Sequence, residues 1–208
     1  MNQFFITGIG TEVGKTIVSA ILTEALAADY WKPIQSGDLN NTDSMKIQRC
    51  ISNPHTRIHP ERYRLNQPLS PHASAALDGI EIKVSDFELP KTDRPLIVEG
   101  AGGLLVPLSL QETMLDLIQH LQLPVILVVR HYLGSINHTL LSLEVLRLRG
   151  IALAGVVYNG VENEASERAI EALSGAKVLG RVGEMEEVSA EVIVREAELL
   201  RGIWSIGF

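Results

Sequence analysis

The segment Gly8–Thr16 contains the residue types that bind phosphate. It follows the apolar run Phe4–Ile6 and precedes the amphipathic run Ile17–Leu26, which predicts a strand, a glycine-rich turn and a helix. Backbone N–H groups of such a turn point toward phosphate oxygens, and the helix N-terminus adds partial positive charge. Lys15 would then reach the β- and γ-phosphates of a nucleotide, and the Thr16 hydroxyl would hold Mg²⁺, as in a P-loop.

The glycine spacing departs from the common P-loop pattern G-x-x-x-x-G-K-[ST]. Position 9 is Ile, and glycines stand at positions 8 and 10, so the loop counted from Gly8 is one residue longer. The context that the motif requires is nevertheless complete, because a strand precedes the loop and a helix begins at Gly14-Lys15-Thr16. We therefore predict a variant P-loop.

Length and composition favour one large α/β domain over residues 1–208. Hydrophobic residues make up 46% of the chain, which is enough for a sizeable core, and the net charge of −7 argues against general nucleic-acid binding. No apolar run approaches the ~18 residues of a membrane span. Cys50 is the single cysteine, so no disulfide can form within the chain, and residues 1–3 lead straight into a strand without a signal peptide. We expect a cytoplasmic protein without nucleic-acid or membrane partners.

Strand and helix patterns alternate along the chain. Strands are predicted over residues 4–6, 30–34, 95–99, 124–129, 151–158 and 177–180, the last at a sheet edge. Helices are predicted over residues 17–26, 43–51, 71–77, 114–121, 136–148, 165–173 and 189–201, with a proline-punctuated irregular region between residues 38 and 71. This alternation predicts a doubly wound, mostly parallel sheet of the P-loop NTPase type, with ligands at the carboxyl ends of its strands.

Three charged residues follow or lie near those strand ends. Glu99 ends an apolar strand, where a carboxylate beside Thr16 would bind Mg²⁺, and the glycines at 100, 102 and 103 let backbone approach a ligand. Lys32 supplies a second cation beside Lys15, which suits phosphoryl transfer. Asp43 is either a further Mg²⁺ ligand or an acid at a helix N-terminus.

Several stretches together resemble the dethiobiotin synthetase family, P-loop enzymes of biotin biosynthesis. The match occurs in order and spans most of the chain up to Asn159. The matching stretches are Gly-x-Gly-Thr-Glu-Val-Gly-Lys-Thr (8–16), Lys-Pro-Ile-Gln-Ser-Gly (32–37), Ser-Pro-His-x-Ser-Ala (70–75), Val-Glu-Gly-Ala-Gly-Gly (98–103), Leu-Pro-Val-Ile-Leu-Val (123–128) and Leu-Gly-Ser-Ile-Asn-His (133–138).

The resemblance implies an ATP- and Mg²⁺-dependent cyclo-ligase. In this reaction 7,8-diaminononanoate takes up CO₂ as a carbamate, and ATP phosphorylates the carbamate. The second amine then attacks the carbamic–phosphoric anhydride, which gives dethiobiotin, ADP and phosphate. Lys15, Lys32 and Mg²⁺ would neutralise the carbamate oxygen and the γ-phosphate as these anions meet.

The resemblance also implies a role for each matched residue. Thr11, beside Lys15 and Lys32 in the catalytic centre, and Ser36 would contact the diamine or the carbamate, and Thr16, Asp43 and Glu99 would hold Mg²⁺. In the family, the substrate carboxylate is bound by a turn from the neighbouring subunit of a homodimer with shared sites; here that turn is Leu133, Gly134, Ser135, Ile136 and Asn137. The residues expected to contact ATP are Glu12, Val13, Gly14, Lys15, Thr16, Ile17, Asp43, Glu99, Gly100, Ala101, Gly102, Asn159, Gly160, Gly183, Glu184 and Met185.

The chain departs from the family pattern at three positions. Gly10 stands where the family usually has Asp, and Gly183 stands where it has Pro. Gly160 follows the adenine-contacting Asn159 in place of the usual Asp, so the carboxylate that would accept from the adenine amino group is absent. We therefore expect base selectivity that is relaxed or provided by other residues.

Two other functions fit a P-loop of this kind. A related amidoligase would change the substrate and keep the ATP site, although the short chain lacks a glutamine-hydrolysing domain. A partitioning-type ATPase switch would carry a signature lysine at position 10, where this chain has Gly, and residues 189–201 form no basic amphipathic tail. Both features favour the ring-closing ligase.

Overall fold

The computed structural model describes residues 2–185 and 187–204. The strands are β1 (Gln3–Gly8), β2 (Asp29–Trp31), β3 (Ile34–Ser36), β4 (Ile58–His59), β5 (Tyr63–Leu65), β6 (Leu96–Gly103), β7 (Val125–Arg130), β8 (Leu153–Asn159) and β9 (Val178–Val182). The helices are α1 (Lys15–Ala25), α2 (Asp43–Cys50), α3 (Pro71–Leu77), α4 (Met114–Leu121), α5 (Ser135–Leu148), α6 (Glu164–Ser174) and α7 (Ala190–Trp204). Each predicted helix is present within a few residues of its expected bounds.

The main sheet has the strand order β4-β2-β6-β1-β7-β8-β9, and its strand pairs are parallel. β3 and β5 form a separate parallel pair. β1 lies centrally and the chain leaves it in both directions, so the predicted doubly wound α/β fold is confirmed. Within the described ranges, no helix is both long and apolar enough to cross a bilayer.

The central strands are buried on both faces. Phe5 and Val98 pack on one side with α4, while Ile6 and Ile97 pack on the other side with α1 and α7. Successive residues of a strand point to opposite faces, so a strand covered on both sides reads as a continuous apolar run. This explains why the central strands were recognisable in the sequence.

The predicted strand over residues 30–34 is wrong in its extent. β2 ends at Trp31, and Ile34 begins β3, which pairs with β5 outside the main sheet. Pro33 has no N–H to donate to a ladder, which separates the two strands. β4 and β5 were not predicted, because strands of two or three residues carry too little periodicity to be recognised.

β6 continues beyond Glu99, where a loop was expected, to Gly103. Its pairing with β1 is regular up to Ile6–Glu99 and then shifts, so that Gly8 faces Gly103. Gly102 has φ +65°, and a Cβ there would lie 2.6 Å from Val106 Cγ2, so glycine is required. The bulged strand end brings the backbone of Gly100 and the Glu99 side chain to the same edge as the P-loop.

Candidate active site

A cavity of ≈ 830 Å³ opens where β1, β2, β6, β7 and β8 end. This edge is where ligands bind in open parallel sheets, and the volume lies in the range of small-molecule sites. The predicted site residues that line the cavity are Thr11, Glu12, Gly14, Lys15, Thr16, Ile17, Lys32, Ser36, Asp43, Glu99, Ala101, Gly102 and Asn159. The fold therefore brings together residues that were selected separately from the sequence.

The P-loop is tied to β8 by a side-chain amide. Asn159 Nδ2 donates a buried hydrogen bond of 3.0 Å to the Val13 carbonyl. Gly14 has φ +92°, and a Cβ at this position would lie 2.0 Å from Asn159 Nδ2. Glycine is therefore needed both for the left-handed backbone and for the contact with Asn159. Asn159, which the family resemblance assigns to the adenine, here uses one amide N–H to hold the loop.

Lys15 is buried at the first position of α1. Its Nζ donates to the Gly10 carbonyl across the loop at 2.9 Å. Burial, followed by repulsion from Lys32, lowers the pKa of Lys15 to about 8. The cavity thus contains a second cation close enough to disfavour the first, which is an arrangement that an anionic ligand would stabilise.

Glu99 is the hub of a buried polar cluster and is 1% exposed. Thr16 Oγ1 donates to Glu99 Oε1 at 2.9 Å, and Tyr30 OH donates to Glu99 Oε2 at 2.9 Å. Sequence reasoning missed Tyr30. It precedes Lys32 by two positions, and in an extended segment residues two apart lie on one face. That spacing could have identified it as a neighbour of the site.

Lys32 bridges the two carboxylates that were predicted to bind metal. Its Nζ lies 2.8 Å from Asp43 Oδ2 and 2.9 Å from Glu99 Oε1, and it donates to the Gly100 carbonyl at 3.2 Å. Burial would lower the pKa of Lys32, but the charges of Glu99 and then Asp43 outweigh it and raise that pKa above its usual value. Burial likewise opposes ionisation of Asp43, but Lys32 outweighs it and holds the pKa of Asp43 below its usual value.

The start of α2 presents Asp43 to this cluster. Thr42 is the N-cap, and its Oγ1 accepts a hydrogen bond of 3.2 Å from the Met45 N–H. The Asp43 N–H donates to Gln35 Oε1 at 3.2 Å, which fixes the helix against β3. Gln35, another residue that sequence reasoning missed, is buried and lines the cavity. Asp43 is therefore an acid at a helix N-terminus, one of its two proposed roles, and its carboxylate also joins the charged cluster.

The part of the cavity lining that comes from β3 carries a hydroxyl without a hydrogen-bond partner among the described residues. Ser36 Oγ is buried, and no residue in the described part of the chain forms a hydrogen bond with it. Gly37 has φ +68°, and a Cβ there would lie 2.6 Å from Pro68. This close approach brings residues 68–71 over the cavity beside Ser36. A buried hydroxyl without a partner is unfavourable, and a polar ligand would satisfy it.

Other predicted residues lie outside the cavity lining. Val13 is buried under the loop, and Gly100 faces the Phe5 side chain. Gly134 caps α5 with φ +100°, and Leu133 beside it is fully exposed. Arg130 Nη2 donates to Glu184 Oε1 at 3.1 Å, and Arg130 also lies beside Gly160. The predicted site residues that do not line the cavity of their own chain are Val13, Gly100, Leu133, Gly134, Ser135, Ile136, Asn137, Gly160, Gly183, Glu184 and Met185.

The Thr16, Asp43 and Glu99 side chains fit Mg²⁺. They offer one hydroxyl and two carboxylates, and Mg²⁺ is commonly bound through one or two carboxylates with phosphate and water oxygens. The ammonium of Lys32 lies between the two carboxylates, so the position already accommodates positive charge. The donor chemistry and the local charge therefore agree.

The fold and the P-loop define a P-loop nucleotide-binding protein, and comparisons with known proteins give the family. The model of the AAA domain family matches residues 2–192. The chain is 53% identical over 195 residues to the ATP-dependent dethiobiotin synthetase BioD of Christiangramia forsetii, covering 94% of this chain and 93% of that protein. It is 49% identical over 205 residues to that of Cytophaga hutchinsonii, covering 98% and 99%. The chain belongs to the dethiobiotin synthetase family.

Solved structures with a similar fold have much lower identity. The septum site-determining protein MinD of Pyrococcus horikoshii, complexed with Mg-ADP, has a TM-score of 0.62 at 13% identity and covers 99% of this chain and 98% of its own. The cell division ATPase MinD of Pyrococcus furiosus has a TM-score of 0.60 at 15% identity, covering 98% and 100%. These likenesses concern the fold alone.

Proposed function

We propose that this chain closes the ureido ring of dethiobiotin from 7,8-diaminononanoate, CO₂ and ATP. The observation that carries the proposal is that two buried lysines, Lys15 and Lys32, line one cavity together with Ser36, whose hydroxyl has no hydrogen-bond partner in the described part of the chain. Family membership supplies the substrates, because the relatives are ATP-dependent dethiobiotin synthetases. The geometry supports the same function, because the two lysines and Ser36 line a single cavity in which an anionic substrate and ATP could meet.

The reaction requires two anions to meet, and the chain's cations and hydroxyls face the cavity where this would occur. The carbamate oxygen attacks the γ-phosphorus and ADP leaves; the second amine then attacks the carbamate carbon, and phosphate leaves with the loss of a proton from nitrogen. Lys15 at the helix start would bind the phosphates, and Lys32 would stabilise charge on the transferred group. Thr11 and Ser36 would orient the diamine or its carbamate by hydrogen bonds.

The Mg²⁺ site forms a second part of the proposal. Thr16, Asp43 and Glu99 would hold the ion, with Glu99 kept in place by Tyr30. When bound, Mg²⁺ neutralises phosphate charge. The nucleotide contacts expected from residues 12–17, 99–102, 159–160 and 183–185 belong to this proposal, as do the single domain over 1–208 and the cytoplasmic location.

Phosphate release from ATP with Mg²⁺ and bicarbonate, with and without diaminononanoate, tests the function, and mass spectrometry identifies the product. We expect release to depend on the diamine and dethiobiotin to form. Replacement of ATP by other nucleoside triphosphates then measures the effect of Gly160. Diamine-independent hydrolysis without a ring product would contradict the proposal. It would favour the ATPase switch or a related amidoligase, which at present are supported only by the fold.

We also propose a homodimer in which each site receives the Leu133–Asn137 turn from the partner. The turn does not line its own chain's cavity. Leu133, just before α5, is exposed, as are Leu141 and Leu148 on α5, which is expected of a surface that another copy covers. Mixing Lys32→Ala with Asn137→Asp protein tests the sharing. If sites are shared, two impaired variants should regain roughly a quarter of wild-type turnover by random exchange. A site built within one chain would regain none.

A further inference from the structure

The Lys32 ammonium is saturated by protein acceptors in the ligand-free molecule. A lysine has three N–H donors and no acceptor. Its three partners here are Asp43 Oδ2 at 2.8 Å, Glu99 Oε1 at 2.9 Å and the Gly100 carbonyl at 3.2 Å. No N–H group of Lys32 is therefore left for a phosphate or carbamate until at least one of these contacts breaks.

Charge balance explains why Lys32 occupies this position. The Glu99 side chain is 1% exposed, Lys32 is 6% exposed and Asp43 is 20% exposed. Two carboxylates in such surroundings need a nearby cation, because an unpaired buried charge is strongly unfavourable. Lys46 contacts Asp43 at 3.3 Å, but it is 39% exposed and also contacts the exposed Asp38 at 3.4 Å. Lys32 is thus the cation that both carboxylates share.

The same oxygens are those proposed to bind Mg²⁺. Glu99 Oε1 already accepts from both Thr16 Oγ1 and Lys32 Nζ at 2.9 Å. A divalent ion on Thr16, Asp43 and Glu99 would compete with the ammonium for the same carboxylate oxygens, and the two cations would repel each other. The ion and the ammonium therefore cannot both keep these contacts.

We propose that Lys32 is a built-in counter-cation of the Asp43–Glu99 pair, and that a divalent ion releases its ammonium toward the cavity shared with Lys15. This inference rests on the proposed Mg²⁺ site. Lys32 would then have two positions, one that stabilises the empty site and one in which its donors face the reacting groups. The step that loads the metal would also free the lysine for the reaction.

Binding of Mn²⁺, the spectroscopically visible substitute for Mg²⁺ at oxygen sites, tests the displacement on the full chain without nucleotide. Electron paramagnetic resonance measures free Mn²⁺ for wild type, Lys32→Met and Lys46→Met. Because the competing cation is gone, Lys32→Met should bind Mn²⁺ at least about tenfold more tightly than wild type. Lys46→Met removes the same charge at the exposed side and should change the affinity less than about threefold. Equal tightening in both variants, or none in Lys32→Met, would overturn the proposal.

A second variant covers the case in which Lys32→Met folds poorly because its carboxylates lack a partner. Lys32→Met/Asp43→Asn restores the charge balance and should fold, but it should lose the gain in Mn²⁺ affinity. If it keeps the gain, the Asp43–Glu99 pair is not the competing site. Dethiobiotin formation by wild type is measured separately. Its absence would contradict the proposed function while leaving the Mn²⁺ result intact, and unchanged Mn²⁺ binding in an active enzyme would contradict the displacement alone.

Discussion

Two buried glutamates lie at the same end of the sheet, and each carboxylate accepts hydrogen bonds from three groups. Their surroundings nevertheless differ. Glu99 accepts hydrogen bonds from the side chains of Thr16, Tyr30 and Lys32. Glu167 on α6 receives His131 at 2.8 Å, the Asn163 N–H at 3.3 Å and Arg181. Glu99 lines the large cavity, whereas Glu167 does not line it.

The difference lies in what the partners can do besides holding the carboxylate. Thr16 and Lys32 border the cavity, where a hydroxyl can turn toward a metal and a lysine can move on its flexible stem. Arg181 and His131 connect α6 to the ends of β9 and β7, and Arg181 lies over the Tyr158 ring. The comparison indicates that a carboxylate does not mark an active site merely because it is buried and paired. A better indication is that its hydrogen-bond partners line a cavity and can turn toward a ligand there.

Lys32→Ala should give the largest functional effect. Turnover should fall by at least about 10³-fold, because a preorganised cation at the transferred group is lost, while ATP binding is largely kept. Steady-state assays of ring formation and calorimetric titration with ATP measure the two quantities. Normal turnover would show that Lys32 is not a catalytic residue. The Glu99 cluster would then have a structural role, like the Glu167 cluster.

Glu99→Gln keeps the shape of the side chain and removes its charge. We expect Mg²⁺-dependent nucleotide binding to weaken by about 10–100-fold, the size of effect seen at metal-supporting residues. Nucleotide titrations at several Mg²⁺ concentrations measure the change. A Mg²⁺ requirement identical to that of wild type would move the metal ligand elsewhere.

Glu167→Gln should lower stability and leave the chemistry in place. Replacing an ionised acceptor of charge-assisted hydrogen bonds should cost about 1–3 kcal/mol of unfolding free energy. Urea denaturation and the ring-forming assay are the measurements. Glu162→Gln is the matched control, because Glu162 contacts the same Arg181 at 3.4 Å but is 68% exposed, so its loss should cost less than about 1 kcal/mol. A loss of turnover in Glu167→Gln without a loss of stability would make the second cluster functional.

The smallest effect concerns the pH dependence of that stability difference. Burial opposes ionisation of Glu167, but hydrogen bonds from Arg181 and His131 outweigh it and lower its pKa below the usual 4.5. Its contribution is therefore complete above pH 4.5 and is lost as the pH falls through the lowered pKa. Urea denaturation from pH 7 to pH 3 should show the gap between wild type and Glu167→Gln closing at the acid end. If the difference in unfolding free energy stayed constant across this pH range, the charge of Glu167 would not be the cause of that difference.

The sequence predicts the parts of the site that follow directly from strand ends, and it misses the parts that depend on packing. The P-loop, Glu99 and Lys32 could be selected because each ends or follows a predicted strand whose carboxyl end must face the same edge. Tyr30 and Gln35 act through hydrogen bonds to Glu99 and to the start of α2, and such contacts depend on how separate elements pack.

Asn159 illustrates the same limit more sharply. Family resemblance assigns it to the nucleotide base and does not indicate that one of its amide N–H groups donates to the Val13 carbonyl. Nothing in the local sequence around either residue indicates this contact, since 146 positions separate them. The short strands β3 and β5 were missed for a similar reason, because their extended conformation depends on their pairing with each other and not on a local sequence pattern.

The tie between Asn159 and the P-loop has a consequence for how the protein assembles. A loop whose shape depends on a partner 146 residues away cannot be completed by local folding. Contacts between distant segments require closure of a long stretch of chain, and they form slowly compared with local ones. During synthesis, the phosphate-binding loop emerges well before β8, yet it acquires its tether only after β8 has joined the sheet. Nucleotide-binding competence should therefore appear late in folding, together with the central sheet.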